Sequence, residues 1–121
     1  MRSFLLALAA GHAAIGAFMV LSPSTFYAEV AGYPPYNDHF IRDIGTYNLA
    51  YAAAFLAAAA RPAWRIPVLT LVAIQYTLHV VNHIWDVADT DPAWQGPANL
   101  VALGLVAAGL WWLLRRSRPA A

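Results

Sequence analysis

The charged residues of this chain divide it into four long stretches that carry almost no charge. All seven basic residues are arginine, and six of them lie at the two ends of the chain or at one internal junction. The six acids occupy the other two junctions and are Glu29, Asp38, Asp43, Asp86, Asp89 and Asp91. Ionisable side chains are costly inside a bilayer and are therefore rare there, so this pattern is typical of a membrane protein.

The uncharged stretches have the length of membrane-spanning helices. A hydrocarbon core about 30 Å thick requires about 20 residues of α-helix. The predicted spans cover residues 4–21, 40–60, 67–87 and 97–114. The sequence therefore predicts an all-α integral membrane bundle of four antiparallel transmembrane helices, which takes up residues 1–121 as a single domain. A short helix in the headgroup region is expected over residues 25–30.

The arginines also predict the orientation of this bundle, because cytoplasmic junctions of membrane proteins carry the excess of Lys and Arg. The Met1 end, the turn at residues 61–65 and the tail at residues 115–118 are expected in the cytoplasm. The loops at residues 22–42 and 86–97 then face outside. The prediction is a multi-pass protein of a bacterial plasma (inner) membrane with both termini cytoplasmic.

An alternative interpretation takes residues 1–17 as a cleaved signal peptide. Arg2 followed by an apolar run resembles the first two regions of such a peptide. The apolar run continues to Leu21, however, which favours a membrane span.

The composition excludes several classes of function and partner. The chain has no cysteine, which excludes disulfides, thiolate metal sites, iron–sulfur clusters and thiol redox catalysis. A net charge of +1 provides no general field for nucleic acid, so no nucleic-acid partner is expected. The clustered arginines suit the anionic headgroups of membrane lipid, which is the expected partner.

One face of the third predicted helix carries a row of polar side chains. At about 100° per residue, five of them fall within an arc of about 100°. They are Gln75, His79, Asn82, His83 and Asp86. The opposite face is apolar, so the polar row is expected to point into the bundle.

Residues of the other helices are predicted to lie level with this row. The rise of about 1.5 Å per residue gives three level pairs between the second and third helices. The pairs are Tyr51 with His79, Tyr47 with His83, and Asp43 with Asp86. With His12 at its inner end, this set forms a predicted polar column that descends from the outer surface to about the middle of the bilayer. Interhelical hydrogen bonding alone would also explain such polar residues.

The mouth of the predicted column holds the one arginine expected outside, Arg42. Topology disfavours that position, so another interaction is expected to hold Arg42 there. One alternative is a salt bridge with Asp38, Asp86 or Asp89. Such a bridge contributes little to stability when it is exposed. The other is that Arg42 and His39 bind an anionic group, either a lipid headgroup or a carboxylate.

The histidines favour a functional site, because an ionisable residue inside a span is functional by default. His79 and His83 lie one turn apart on one face, a spacing that can place two imidazoles on one metal ion. Asp43, Asp86 or His12 would supply a third ligand. Apolar walls around the same group would equally suit a quinone or a proton relay. His83, one turn from both His79 and Asp86, is the predicted hub.

The layout of the chain resembles a known group of membrane proteins. It has four short spans and an aromatic outer loop that opens with Ser22 and Pro23. Its second helix opens with the sequence Arg42-Asp43-Ile44-Gly45-Thr46-Tyr47-Asn48-Leu49-Ala50. These features resemble the DoxX-like group of small bacterial membrane proteins, some of which are subunits of quinone-linked oxidoreductases. The resemblance implies a partner subunit of that kind.

Three functions of different classes follow from these observations. The first is a protein that holds a quinone-like or lipid ligand in the column, within a membrane oxidoreductase. The second is a structural or accessory membrane protein without a ligand, in which the column only fixes helix register. Under any of the three functions, a second copy of the chain is a possible partner. The third is a membrane enzyme or carrier that uses a divalent metal held by His79, His83, Asp86 and Asp43.

Overall fold

The computed structural model describes residues 1–117, which form helices joined by short connections. The helices are α1 (Arg2–Leu21), α2 (Pro23–Glu29), α3 (Asp38–Ala60), α4 (Arg65–Trp85) and α5 (Gln95–Ser117), with a 3₁₀ turn at Pro62–Trp64. No strand occurs among these residues, so the predicted all-α class is confirmed. The short outer helix expected over residues 25–30 occurs as α2. Arg118, expected in the cytoplasmic tail, lies outside the described residues.

Three segments are long and apolar enough to cross a membrane. They are α1, the segment Pro62–Trp85 that includes α4, and α5. These segments are compatible with a location in a membrane. α3 is equally long, with 23 residues, but its first turns carry Asp38, Arg42 and Asp43, which lower its mean hydropathy. Asn37 caps this helix by accepting a hydrogen bond from the Phe40 backbone N–H at 3.1 Å.

The long helices pack in two pairs, α1 with α3 and α4 with α5. The first pair makes its closest approach at two glycines. A Cβ atom placed on Gly16 would lie 2.8 Å from the carbonyl oxygen of Gly45, and one on Gly45 would lie 3.0 Å from that of Gly16. Glycine at both positions therefore permits backbone contact between α1 and α3.

The two pairs join through an apolar core that all four long helices share. Its largest fully buried side chains are Leu5, Phe55, Leu69, Val72, Leu110 and Leu114. These residues lie toward the end of the bundle that contains Met1 and the 3₁₀ turn. A smaller cluster of Met19, Phe26 and Ile41 lies at the other end, between α1, α2 and α3. We call these two ends the inner and outer halves of the bundle.

The loops of the outer half are held together by hydrogen bonds. Gln95, only 1% exposed, accepts from the Gly32 backbone N–H and donates to the Ala28 carbonyl, both at 2.7 Å. The Asp91 backbone N–H donates to the Gly32 carbonyl at 2.9 Å. A Cβ atom on Gly32 would collide with the Asp91 carbonyl oxygen, so the loops can approach this closely only because residue 32 is glycine.

Candidate functional site

A buried histidine and a half-buried tyrosine form a hydrogen-bonded pair in the middle of the bundle. His12 of α1 is 5% exposed, and its Nε2 atom lies 3.0 Å from the hydroxyl of Tyr76 on α4. Its Nδ1 atom lies 2.8 Å from the carbonyl oxygen of Leu8, one turn earlier in α1. A carbonyl only accepts hydrogen bonds, so Nδ1 carries the proton. In a neutral imidazole Nε2 is then the acceptor, and Tyr76 donates to it.

Aromatic rings from two helices hold His12 in this position. Its ring centre lies 5.1 Å from that of Phe55 and 5.9 Å from that of Tyr51, both on α3. The Tyr76 ring meets it edge-on at 5.7 Å. His12 therefore links three helices, and its orientation is fixed by packing as well as by its two hydrogen bonds.

An open groove of about 460 Å³ runs beside this pair, between α1 and α5. Its apolar lining consists of Phe4, Ala7, Leu8, Gly11, Ile15, Val106, Gly109, Leu110, Trp112 and Leu113. Among the lining residues that the structure describes, His12 and Tyr76 form the hydrogen-bonded pair, and the other polar side-chain atom is the indole nitrogen of Trp112. A Cβ atom on Gly11 or Gly109 would meet no other atom within 4 Å. The two glycines therefore leave space that larger side chains would fill.

A second hydrogen-bonded group lies in the outer half. His83 Nε2 is 3.1 Å from His79 Nε2, and His83 Nδ1 is 2.8 Å from the hydroxyl of Tyr33, in the loop between α2 and α3. Burial, with Asp86 and then Asp89 nearby, raises the pKa of Tyr33 above its ordinary value. The His79 and Tyr76 rings are 6.4 Å apart between centres. The two groups thus follow one face of α4 but are not joined by a direct hydrogen bond in residues 1–117.

The structure brings some of the predicted site residues together. His79 and His83 face the interior as expected, and His12 marks the inner end of the polar residues. Tyr51 packs against His12, whereas the level pairing expected it beside His79. Gln75 is half-buried, and its Oε1 atom has no hydrogen-bond partner within the described part of the chain.

Several other predicted site residues are exposed on the surface of the bundle and do not face its interior. Tyr47 is 63% exposed, and the Asp43 side chain, 54% exposed, lies 3.4 Å from His39 of its own helix. Arg42 pairs with Asp38 at 2.6 Å, the first of its expected salt-bridge partners. Within residues 1–117, no hydrogen bond or ion pair joins Tyr47 to His83 or Asp43 to Asp86, the pairs that the sequence predicted to be level.

The reason for this difference is the rotation of α3. Its buried face, which includes Ile41, Gly45 and Phe55, packs mainly along α1, and α3 contacts α4 much less. Asp43 and Tyr47 lie on the opposite face. Asp86, expected opposite Asp43, instead accepts a hydrogen bond from Asn82 of α4 at 3.3 Å.

The predicted metal ligands are not assembled around one point. His79 and His83 are adjacent, but no group of three or more His, Cys, Asp or Glu side chains able to hold a metal ion occurs within residues 1–117. Structural zinc sites use four protein ligands and catalytic sites use three. The two imidazoles instead hydrogen-bond each other.

Sequence reasoning missed two residues of the observed groups. Tyr76 falls just outside the predicted polar arc of α4, and Tyr33 belongs to a loop whose aromatic residues suit a membrane interface. For Tyr76 a signal was available, because a tyrosine within a buried helix requires a partner for its hydroxyl. For Tyr33 the partner depends on how the outer loop folds back over α4, which no local pattern indicates.

Comparison with known proteins identifies a family without a described activity. No curated protein and no solved structure matches the chain. The model of a family described as "Family of unknown function (DUF6790)" matches residues 1–120. This match does not connect the chain with the DoxX-like proteins. Because the match covers nearly the whole sequence, the chain belongs to the DUF6790 family.

Proposed function

We propose that this protein is a four-helix membrane protein that binds a long apolar ligand with a small polar head group. The ligand is of the quinone-like or isoprenoid lipid class and lies in the groove between α1 and α5. The observation that carries the proposal is the composition of this groove, which has apolar walls around one hydrogen-bonded pair, His12 and Tyr76.

The proposal includes four antiparallel spans, with α3 as the second. At about 1.5 Å per residue, its 23 residues extend about 34 Å, which is enough to cross the hydrocarbon core. Residues 49–60 carry no charge, and the charged first turns would lie among the headgroups. The arginines at the inner half support a cytoplasmic location for that end and for both termini, in a bacterial plasma membrane.

Single cysteines test this topology, and the chain contains no native cysteine to interfere. Suitable exposed positions are Ser24 and Ala93 at the outer half and Ala63 at the inner half. In intact cells, an impermeant thiol reagent is expected to label Ser24→Cys and Ala93→Cys, and to label Ala63→Cys only after lysis. Labelling of Ala63→Cys in intact cells would contradict the proposed orientation.

The size, depth and opening of the groove support a membrane ligand. Ligand pockets commonly enclose about 300–1,000 Å³ and combine apolar walls with a few polar groups. His12 lies ten residues into α1, about 15 Å from its start and thus near the middle of a bilayer. Phe4, Ile15 and Trp112 line the groove and are exposed at the bundle surface. A ligand would therefore enter from the hydrocarbon.

The glycines of α5 allow a direct test. Gly109→Leu would fill the groove, because no atom lies within 4 Å of a Cβ at that position. Gly104→Leu is the matched control, since Gly104 is equally open, lies on the same helix and does not line the groove. Both changes replace glycine by a better helix former, so their local effects on α5 should be similar.

The measurement is mass spectrometry of lipids extracted from protein purified in mild detergent. The wild type and Gly104→Leu are expected to retain one lipid at a constant ratio to protein, and Gly109→Leu to lose it while still unfolding cooperatively, as Gly104→Leu does. Equal retention by both variants would contradict the groove as the site. Absence of any retained lipid from the wild type would leave His12 and Tyr76 as a structural link between helices.

A further inference from the structure

The hydrogen-bond pair in the groove has a fixed direction. The His12 Nδ1–H donates to the Leu8 carbonyl, and the Tyr76 O–H donates to His12 Nε2. The neutral form of His12 follows from its surroundings, because no carboxylate is among the described groove residues and a buried, unpaired charge is costly. The Nδ1–H of His12 and the O–H of Tyr76 therefore both donate hydrogen bonds within the protein.

The Tyr76 oxygen consequently offers the groove only acceptor capacity. A phenolic oxygen has one proton to donate and lone pairs that accept. The nearest other hydroxyl on α4, that of Thr77, donates to the Ala73 carbonyl and accepts from the indole N–H of Trp111. Trp112 lines the groove at the level of Phe4, two turns or about 12 Å below His12. Tyr51 packs against His12 but does not line the groove. Among the described residues that line the groove, no other side-chain donor is thus placed beside Tyr76.

We propose that the head-group end of the groove selects a ligand bearing a hydroxyl over the same ligand bearing a carbonyl or an ether. This inference rests on the proposed function and names the chemical class of its ligand, a long-chain alcohol or a hydroquinone. A hydroxyl donates to the Tyr76 oxygen. A carbonyl or ether oxygen brings lone pairs against lone pairs and leaves both acceptors without a partner in an apolar site, which is unfavourable.

Three probes with one chain and different head groups test this selection. They are farnesol, its aldehyde farnesal and farnesyl methyl ether, titrated calorimetrically into the delipidated protein in detergent. Farnesol is expected to bind about tenfold more tightly than either of the others. This ratio corresponds to the net free energy of roughly one hydrogen bond. Equal affinities for the three would overturn this inference while leaving the groove as a lipid site. Binding of none of them would overturn the proposed function itself.

Two substitutions separate hydrogen-bond direction from simple polarity. His12→Phe keeps a ring against Phe55 and Tyr51 but removes the acceptor, so the Tyr76 O–H becomes free to donate into the groove. Farnesal and the ether should then gain about tenfold relative to farnesol, and the preference should disappear. Tyr76→Phe leaves His12 Nε2 as a bare acceptor, so the preference for farnesol should persist.

A third variant serves as the control outside the groove. His79→Phe removes an imidazole from the same face of α4 but does not line the groove, and it should keep the wild-type preference. If His12→Phe and Tyr76→Phe change the preference alike, polarity rather than direction decides binding and the inference is wrong. If His12→Phe does not fold, the three probes are compared in the wild type and in Tyr76→Phe. A preference for farnesol in both proteins supports the inference, because only a site that accepts hydrogen bonds has this preference. Loss of the preference in Tyr76→Phe contradicts it.

Discussion

The inner half of the bundle is joined by packing, whereas the outer half is joined by hydrogen bonds. In the inner half, Leu5, Phe55 and Leu110 from three helices are almost fully buried. In the outer half, the side chain of Gln95 connects the loop after α2 to the start of α5. The polar pair of His12 with Tyr76 borders an open groove. The corresponding outer group, with His83 at its centre, is contacted by Tyr33 of the loop between α2 and α3.

This contrast indicates different roles for two sets of polar residues that share one face of α4. Where apolar packing supplies the stability, a polar pair beside empty volume is available for a ligand. Where packing is sparse, buried polar groups must satisfy one another, because an unpaired one costs about 1–3 kcal/mol. We therefore expect substitutions in the outer half to alter stability and those at His12 and Tyr76 to alter binding.

The largest expected effect on stability is that of Gln95→Ala. It removes two hydrogen bonds and leaves the buried Gly32 N–H without a partner. The free energy of unfolding should fall by about 3 kcal/mol. The measurement is the denaturation midpoint in detergent. Asn82→Ala, which removes an exposed amide, is the control and should change the free energy by less than about 0.5 kcal/mol. Equal effects of the two changes would contradict the role assigned to the outer loops.

A smaller loss is expected where α1 and α3 touch. Gly16→Ala places a methyl group 2.8 Å from the backbone oxygen of Gly45, so the helices must separate, at a cost of about 2 kcal/mol. Gly11→Ala on the same helix meets open space and should stabilise slightly through its helix propensity. Thermal midpoints of the two variants should therefore move in opposite directions. Movement in the same direction would argue against this packing.

The His83 variants distinguish the two halves most directly. His83→Leu removes the hydrogen bonds to Tyr33 and His79 and should lower stability by about 1 kcal/mol. His83→Gln keeps a hydrogen-bonding side chain and should be closer to the wild type. Both variants should retain any lipid bound in the groove, since His83 does not line it. Loss of that lipid from His83→Gln would mean that the polar residues act as one continuous site.

The smallest effect concerns Tyr33 at alkaline pH. Its pKa is raised in the folded protein, above the ordinary tyrosine value of about 10. Tyr33 therefore contributes stability that is fully present below pH 10 and is lost as the pH rises through its folded pKa. The wild type should lose more stability than Tyr33→Phe when the pH is raised above 10. Parallel losses in unfolding experiments across that range would exclude this contribution.

The sequence by itself determined the properties that depend on neighbouring residues along the chain. The uncharged stretches between the charged junctions predicted the long helices, because the length of an apolar run is read directly along the chain. The polar face of α4 with His79 and His83 followed from 100° per residue alone. The rise per residue also placed His12 near the middle of its helix. These quantities belong to single helices and require no knowledge of their neighbours.

Only the tertiary structure decided which faces meet. Depth along a helix follows from the rise, but the rotation of α3 depends on every contact that it makes with its neighbours. Its contact at Gly45 turns Tyr47 outward, and Tyr33 takes the place beside His83. Gly16 and Gly45 are packed while Gly11 and Gly109 are open, although all four are glycines in apolar stretches. The groove exists because of that difference, which arises from how the two helix pairs pack together.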